Sequence, residues 1–236
     1  MAIRYSLIAA AMTVLSVLPA SALTVTSIES RWENVASWVG GEGTNEIRWG
    51  KSTGHGKSGY NFAPSETDFE TEADTPFVLG TFQHLNFPVR GKFLETAELV
   101  FSFTIEGVSS AINSVYTFDH YETANSPSTC ANGEANKTGV NVAGCADRVR
   151  LLDNADQHQA FEVNGTQYIL DVLGFRTDGE LLTDFWTRER QVNTADLMAV
   201  FRLVEPIEPT SEVPLPASGL LLLGGIVGLF AKRKFL

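Results

Sequence analysis

Apolar and polar residues alternate with a period of two over much of the chain. In "AELVFSFTI" one face of an extended strand carries Leu99, Phe101, Phe103 and Ile105, and the other carries Val100, Ser102 and Thr104. Such alternation is typical of β-strands that bury one face. The same pattern predicts strands in "LTVTSIESRW", "EIRW", "TPFVLGTFQHLNF", "SVYTFDHY", "DRVRLL" and "LMAVFRLVE".

A β-hairpin is predicted where Asn164-Gly165 separates two alternating runs in "FEVNGTQYILDV". Asn-Gly favours the two-residue turns that join antiparallel strands. Helical periodicity in the body is confined to two short candidates, "LLTDFWTRERQ" and "NTADLM". Many short strands separated by turn residues predict an all-β fold, an antiparallel β-sandwich of jelly-roll or immunoglobulin-like type. The body, residues 23–205, has the length of one domain.

Residues 1–22 have the pattern of a secretory signal peptide. Arg4 supplies the positive charge, "SLIAAAMTVLSVL" the apolar stretch, and Ala20 and Ala22 the small residues of a cleavage site. We therefore expect the protein to be exported and the mature chain to begin at Leu23.

The carboxyl-terminal segment, residues 213–236, combines a proline-containing pentapeptide, an apolar run and a basic cluster. A Pro-rich linker, residues 206–212, precedes it. The apolar run predicts a transmembrane helix at about residues 216–231, although it is shorter than the ~20 residues of a comfortable span. The basic residues beyond the run place that end in the cytoplasm.

This tail resembles the VPLPA variant of the PEP-CTERM sorting signal. An exosortase, which is a membrane-embedded thiol protease of Gram-negative bacteria, recognises and cuts such tails. The residues that carry the resemblance are Val213, Pro214, Leu215, Pro216, Ala217, Lys232, Arg233 and Lys234. The resemblance implies transit through the inner membrane and delivery of the body to the cell surface or an exopolysaccharide matrix. A plain membrane anchor with a rigid proline linker is the alternative.

The body is strongly acidic. Four of the 17 Lys and Arg residues lie in the two terminal segments, which leaves 13 of them against 28 Asp and Glu residues. This balance argues against nucleic acid as a partner, because such binding depends on basic side chains that neutralise phosphates. It fits a solvated surface in a salty exterior.

The chain has two cysteines, Cys130 and Cys145. Downstream of an export signal, such a pair predicts a disulfide rather than two free thiols. The disulfide would close the Gly- and Asn-rich loop between the two residues. A zinc site at the cysteines would need further ligands at matching spacing, and the sequence offers none.

No pattern of catalytic or metal-ligating residues stands out. The four histidines lie in separate segments without the spacing of a zinc site; they are His55, His84, His120 and His158. The loop "DNADQ", with Asp153 and Asp156, offers oxygen ligands to calcium but lacks EF-hand spacing. "GKSTGHGKSGY" nearly spells a phosphate loop, but its first glycine is out of register and no helix follows. We expect no enzymatic activity and no bound metal, with calcium the one cofactor left open.

The segment "PFVLGTFQHLNFPV" carries a second resemblance. Strand geometry places His84 and Asn86 on the same side as Phe82. From the residues alone the pair fits a ligand-contact patch or a buried pair that holds a strand end, and the second interpretation is favoured because the pair supplies no nucleophile. Together with "EIRWG" and "SGYNF", the segment resembles the exported bacterial proteins named for a Thr-His-x-Asn motif, also described as the choice-of-anchor K domain. The signature positions are Trp49, Tyr60, Phe62, Gly80, Phe82, His84, Asn86 and Pro88.

One signature position departs from that family, since Gln83 stands where the family has threonine. A role for the threonine hydroxyl is therefore in doubt in this chain. The resemblance implies an exported domain with interchangeable anchoring tails and no established activity.

These observations predict a cell-surface or extracellular-matrix protein whose body makes structural or adhesive contacts. A carbohydrate-binding module for exopolysaccharide is the first alternative, and an aromatic platform across one sheet would support it. The segment "FWTRER", with Trp186 and Arg188, suits sugar or acidic-polymer contact but also fits a local salt-bridge cluster. A secreted hydrolase is the second alternative, and a buried carboxylate pair or a metal in a cleft would be its mark.

Overall fold

The computed structural model describes residues 22–152 and 159–204, which form three antiparallel sheets. Sheet A has six strands, in the spatial order β14 (Asp184–Thr187), β10 (Asp147–Leu152), β9 (Ile112–Tyr121), β8 (Thr96–Ile105), β1 (Leu23–Glu33) and β5 (Phe69–Thr71). Sheet B has the order β11 (Phe161–Val163), β12 (Thr166–Thr177), β15 (Gln191–Leu203), β6 (Phe77–Asn86), β4 (Ser58–Pro64) and β2 (Glu46–Trp49), with β13 (Glu180–Leu182) paired to β12. The third sheet pairs β3 (Lys51–Ser52) with β7 (Val89–Arg90).

The prediction of an all-β antiparallel fold is confirmed. The only helix in the described residues is a 3₁₀ turn, Gly139–Asn141. Strand β8 buries Leu99, Phe101 and Phe103, as its alternation predicts. The predicted hairpin joins β11 to β12 through Asn164 and Gly165, whose φ angles are 51° and 81°. Both residues are left-handed, as a type I′ turn requires.

The two short helices predicted in the body are wrong. "LLTDFWTRERQ" contains strand β14, and "NTADLM" lies within β15. Strand β15 buries five consecutive residues, Leu197 to Phe201, so its sequence does not alternate there. The segment "NTADLM" begins before that run and alternates in burial, with Asn193, Ala195 and Leu197 inside, but an amide and a small side chain among the buried positions conceal the period of two in the sequence.

Sheets A and B pack face to face around a core rich in aromatic side chains. Phe82 of sheet B stacks on Phe118 of sheet A, with ring centroids 5.5 Å apart. Trp32 of sheet A lies edge-on to both rings. Gly80 allows the ring of Phe62, on the neighbouring strand, to pack directly against its backbone. A β-carbon at position 80 would lie 2.8 Å from Phe62 Cε1 and nearer still to Cζ. The result is a sandwich-like body whose interior is filled by side chains.

The predicted disulfide is present and joins Cys130 to Cys145, with Cα atoms 5.2 Å apart. The loop it closes is tied to the start of β10, since Asn141 Oδ1 accepts a hydrogen bond of 2.8 Å from the Ala146 amide. A single residue, Ala146, therefore separates the disulfide from a strand that enters the core.

Within residues 22–152 and 159–204, no helix is long and apolar enough to cross a membrane. The predicted signal peptide up to Ser21, the Pro-rich linker and the transmembrane helix at about 216–231 lie outside the described residues. The same holds for the calcium loop with Asp153 and Asp156, and for His158.

Candidate functional site

Five titratable side chains meet inside the protein where β6, β9 and β14 end and β10 begins. We call them the buried polar cluster; they are His84, His120, Glu122, Asp147 and Glu189. His84 comes from sheet B, whereas His120 and Asp147 come from sheet A. The cluster therefore spans the interface between the two sheets.

The side chains of the cluster form two overlapping triads. One ligand atom from each of His84, His120 and Asp147 lies within 4.8 Å of the others, and the same holds for Glu122, Asp147 and Glu189. His84 and Asp147 are 0% exposed, and Glu189 is 2% exposed. Asp147 belongs to both triads and is thus at the centre of the cluster.

Hydrogen bonds determine the tautomer of His84. Thr187 Oγ1 donates its single proton to the Asp147 carbonyl, at 3.0 Å. With that proton on the carbonyl side, we assign Oγ1 as the acceptor from His84 Nδ1, which lies 2.8 Å away. The proton of His84 is consequently on Nδ1, and Nε2 carries a lone pair. His84 Nε2 is buried and has no hydrogen-bond partner in the described part of the chain.

His120 is held at both ring nitrogens. Its Nδ1 lies 2.7 Å from the Tyr60 hydroxyl, and its Nε2 lies 3.2 Å from Glu122 Oε2. Its ring centroid is 5.1 Å from those of His84 and Trp49. The two imidazoles are thus enclosed by aromatic side chains from sheet B.

The carboxylates of Asp147 and Glu189 are each bound at one oxygen only. Asp147 Oδ1 accepts from the Thr123 amide at 2.7 Å, and Glu189 Oε1 accepts from Asn125 Nδ2 at 3.0 Å. Asp147 Oδ2 and Glu189 Oε2 are buried without a hydrogen-bond partner within residues 22–152 and 159–204. A buried polar atom without a partner is costly, so both oxygens require an explanation.

Burial keeps the two histidines neutral. It lowers the pKa of His84 well below its usual range, and the neighbouring His120 lowers it further. Burial also lowers the pKa of His120 to about 4, although Asp147 and Asp119 oppose the shift. At neutral pH the contact between His120 and Glu122 is therefore a hydrogen bond of a neutral imidazole.

The carboxyl groups have raised pKa values because burial and mutual repulsion disfavour their charged forms. Burial and the charge of Glu189 raise the pKa of Glu122 to about 7, partly offset by the Trp49 indole N–H. Burial and Glu122 raise the pKa of Asp147 well above its usual range, and burial raises that of Glu189. The pKa of the Tyr60 hydroxyl is also raised, mainly by burial and to a smaller extent by the charge of Asp147. The cluster thus holds more acidic groups than it can ionise without a compensating positive charge.

Several residues of the Thr-His-x-Asn resemblance surround this cluster. His84 and Asn86 both reach Thr187 across the sheets, since Asn86 Nδ2 donates to the Thr187 carbonyl at 3.0 Å. The rings of Trp49 and His84 stack with centroids 5.9 Å apart. Gln83 points away from the core and accepts a hydrogen bond from Asn61 on the neighbouring strand. The residue that replaces the family threonine is therefore outside the cluster.

Three members of the cluster do not stand out in the sequence: Glu122, Asp147 and Glu189. Each lies in a different segment, and 36 residues separate His84 from His120. Only the pairing of strands brings them together, and no local spacing signals it. His55, in contrast, lies exposed in the loop between β3 and β4.

No protein-family model and no curated protein matches this chain. The Thr-His-x-Asn and VPLPA resemblances thus stay interpretations of the sequence, and the roles of the cluster residues rest on geometry.

A second feature lies on the outer face of sheet A. Tyr121, Arg148 and Trp186 are directly opposite one another on β9, β10 and β14. The Arg148 guanidinium lies 5.6 Å from the centroid of the Tyr121 ring, and it forms an ion pair of 2.9 Å with Asp119. We call Tyr121, Arg148 and Trp186 the outer aromatic row. It includes the outward-facing tryptophan of "FWTRER", whereas Phe185 of the same segment is in the core.

Proposed function

We propose that this chain is an exported cell-surface or matrix protein without enzymatic activity, sorted by an exosortase through its tail. The observation that carries the proposal is the order of features in residues 213–236, where the pentapeptide from Val213 to Ala217 precedes an apolar run and a basic cluster. In transit the tail would lie in the inner membrane, with the body outside it.

The disulfide supports the export part of the proposal. Disulfides persist in oxidising compartments and are rare in the cytosol. The link between Cys130 and Cys145 closes a loop whose ends are 15 residues apart. A reducing compartment would remove about 3 kcal/mol of the stability that such a link provides.

The absence of enzymatic activity is proposed from the burial of the titratable groups. The buried carboxylates Asp147 and Glu189 are the mark expected of the hydrolase alternative, but Asp147 and the neighbouring His84 are 0% exposed and offer a substrate no surface to contact. A substrate needs contact with the reacting groups. We further propose that the body is of jelly-roll or immunoglobulin-like type and related to the Thr-His-x-Asn proteins, because four signature residues, Trp49, Tyr60, His84 and Asn86, meet at one site.

Processing of the tail tests the sorting proposal. The full-length chain is produced in a host with and without the matching exosortase, and the intact mass of the exported form is measured. We expect loss of the segment that follows about Val213 only when the protease is present. Pro214→Ala with Pro216→Ala should block this loss, whereas Pro206→Ala with Pro209→Ala in the linker should not. An intact carboxyl end in both hosts would leave a tail-anchored protein and refute sorting.

A carbohydrate-binding function is the second candidate, and the outer aromatic row favours it. Aromatic rings beside a guanidinium offer flat apolar faces and hydrogen-bond donors on a solvent-facing sheet. We expect Trp186→Ala to weaken binding of the host's exopolysaccharide at least tenfold in a pull-down titration. The matched control is Trp38→Ala, because Trp38 is 45% exposed elsewhere on the surface. Equal binding by both variants and the parent would exclude this row as a sugar site.

A further inference from the structure

We propose that His84, His120 and Asp147 bind a divalent transition-metal ion that cross-links the two sheets. Nothing in this inference depends on how the tail is processed. It rests on the buried atoms of His84 and Asp147 that have no partner among the described residues, and on the position of His120, whose Nε2 would exchange its contact with Glu122 for the ion.

The first argument is the lone pair of His84. Because Thr187 fixes the proton on Nδ1, Nε2 is the free nitrogen of a neutral imidazole, which is the form that binds metals. This nitrogen has no hydrogen-bond partner among the described residues although it is wholly buried. One ring nitrogen of His84 lies within 4.8 Å of a ligand atom of His120 and of Asp147. A cation between these three groups would satisfy the free Nε2.

The second argument is the free oxygen of Asp147. Oδ1 is used by the Thr123 amide, so Oδ2 is the oxygen that remains for a ligand. Glu189 has the same arrangement, with Oε1 bound to Asn125 and Oε2 free. Because Glu122, Asp147 and Glu189 form the adjoining triad, further carboxylate oxygens are available beside the ion.

The third argument is charge. Two buried carboxyl groups, of Asp147 and Glu189, are crowded beside the half-buried Glu122. Arg148, on the strand that begins with Asp147, pairs with Asp119 on the outer face instead. Buried charges are normally paired or bound to metals. A dication would supply the positive charge that these carboxylates lack.

The ligand types select the metal class. Two imidazole nitrogens with carboxylate oxygen suit zinc, manganese or iron, whereas calcium and magnesium prefer oxygen ligands throughout. The contacts around the ligands follow the pattern of established metal sites, in which the second ring nitrogen of each histidine is hydrogen-bonded. Thr187 has this role for His84, and Tyr60 has it for His120.

The burial of the triad gives the ion a structural role. Structural metal sites are closed, whereas catalytic sites keep a position open to solvent. His84 belongs to sheet B and the other two ligands to sheet A, so the ion would join the sheets at the end where β6 stops.

The test uses the full-length chain, extracted after export, stripped with a chelator and titrated with Zn²⁺. We expect one zinc ion per chain to remain after gel filtration. At a free concentration near 100 times Kd, the midpoint of thermal unfolding should rise by roughly 5–10 °C. Mn²⁺ should give a smaller rise, and Ca²⁺ none.

Two variants separate the metal role from a purely structural one. Asp147→Asn keeps the acceptor for the Thr123 amide and removes the anionic ligand oxygen. We expect it to abolish the zinc-dependent rise while leaving the metal-free midpoint unchanged or higher, because a buried carboxylate is removed. His55→Gln combined with His158→Gln should retain the full rise, since only the cluster histidines remain.

The variant with both His55→Gln and His158→Gln keeps the proposal testable if Asp147→Asn does not fold. Failure of the parent and the double variant to retain zinc would overturn the proposal. So would a zinc-dependent rise that persists in folded Asp147→Asn, or a rise that Ca²⁺ alone produces.

Discussion

Phe82→Ala is expected to lower the free energy of unfolding by about 3–5 kcal/mol. Phe82 is fully buried and contacts rings from both sheets. Its centroid is 5.0 Å from that of Tyr60, 5.3 Å from that of Phe175 and 5.5 Å from that of Phe118. Truncation removes apolar contacts from both layers and leaves a cavity that neither sheet can close alone.

Urea unfolding followed by tryptophan fluorescence measures this effect. Domains are stable by roughly 5–15 kcal/mol, so a decrease of about 3–5 kcal/mol removes a large fraction of the stability. Phe82→Leu removes fewer buried atoms and is measured beside it as a milder variant. The matched control is Phe93→Ala, because Phe93 is 38% exposed. A Phe82→Ala variant no less stable than the control would contradict the described core.

Thr187→Val is expected to have the second large effect, a loss of about 2–5 kcal/mol. The hydroxyl of Thr187 accepts from His84 Nδ1 and donates to the Asp147 carbonyl. Valine has the same shape and β-branching but no hydroxyl, so both buried groups lose a partner. Each group left unpaired costs about 1–3 kcal/mol.

Thr194→Val is the control for this substitution, because Thr194 is exposed on strand β15. Surface changes of this kind usually stay within about 0.5 kcal/mol of the parent. Equal stability of the two variants in urea would show that the bridge through Thr187 contributes nothing.

The fold was predictable from the sequence where strands are half-buried. Strand β8 buries Leu99, Phe101 and Phe103 in the core, whereas Ser102 and Thr104 on its other face are half-buried; Val100 on that face is buried as well. Prediction failed at β14 and at the first part of β15, where the chain passes from sheet A to the middle of sheet B. In β15 the buried positions Asn193 and Ala195 are polar or small, so the alternation of burial is not visible as an alternation of large apolar residues.

The candidate site was predictable only in part. The alternation around His84 and Asn86 places both on the same side as Phe82, and all three are buried. The other cluster residues lie at the ends of β9 and β14 and at the start of β10. They meet His84 only because of the order of the strands, and local sequence patterns do not reveal that order. The tautomer of His84 also depends on a contact with Thr187, which is 103 residues away.

Strand β15 would have a mechanical consequence if the protein is held by its carboxyl end, as proposed above. It lies between β12 and β6 and pairs with both along its 13 residues. Hydrogen bonds between antiparallel strands run perpendicular to the strand direction. Tension applied beyond Leu203 is therefore shared by many of these bonds at once instead of opening them in succession. A body attached through this strand resists being pulled apart by its own tether.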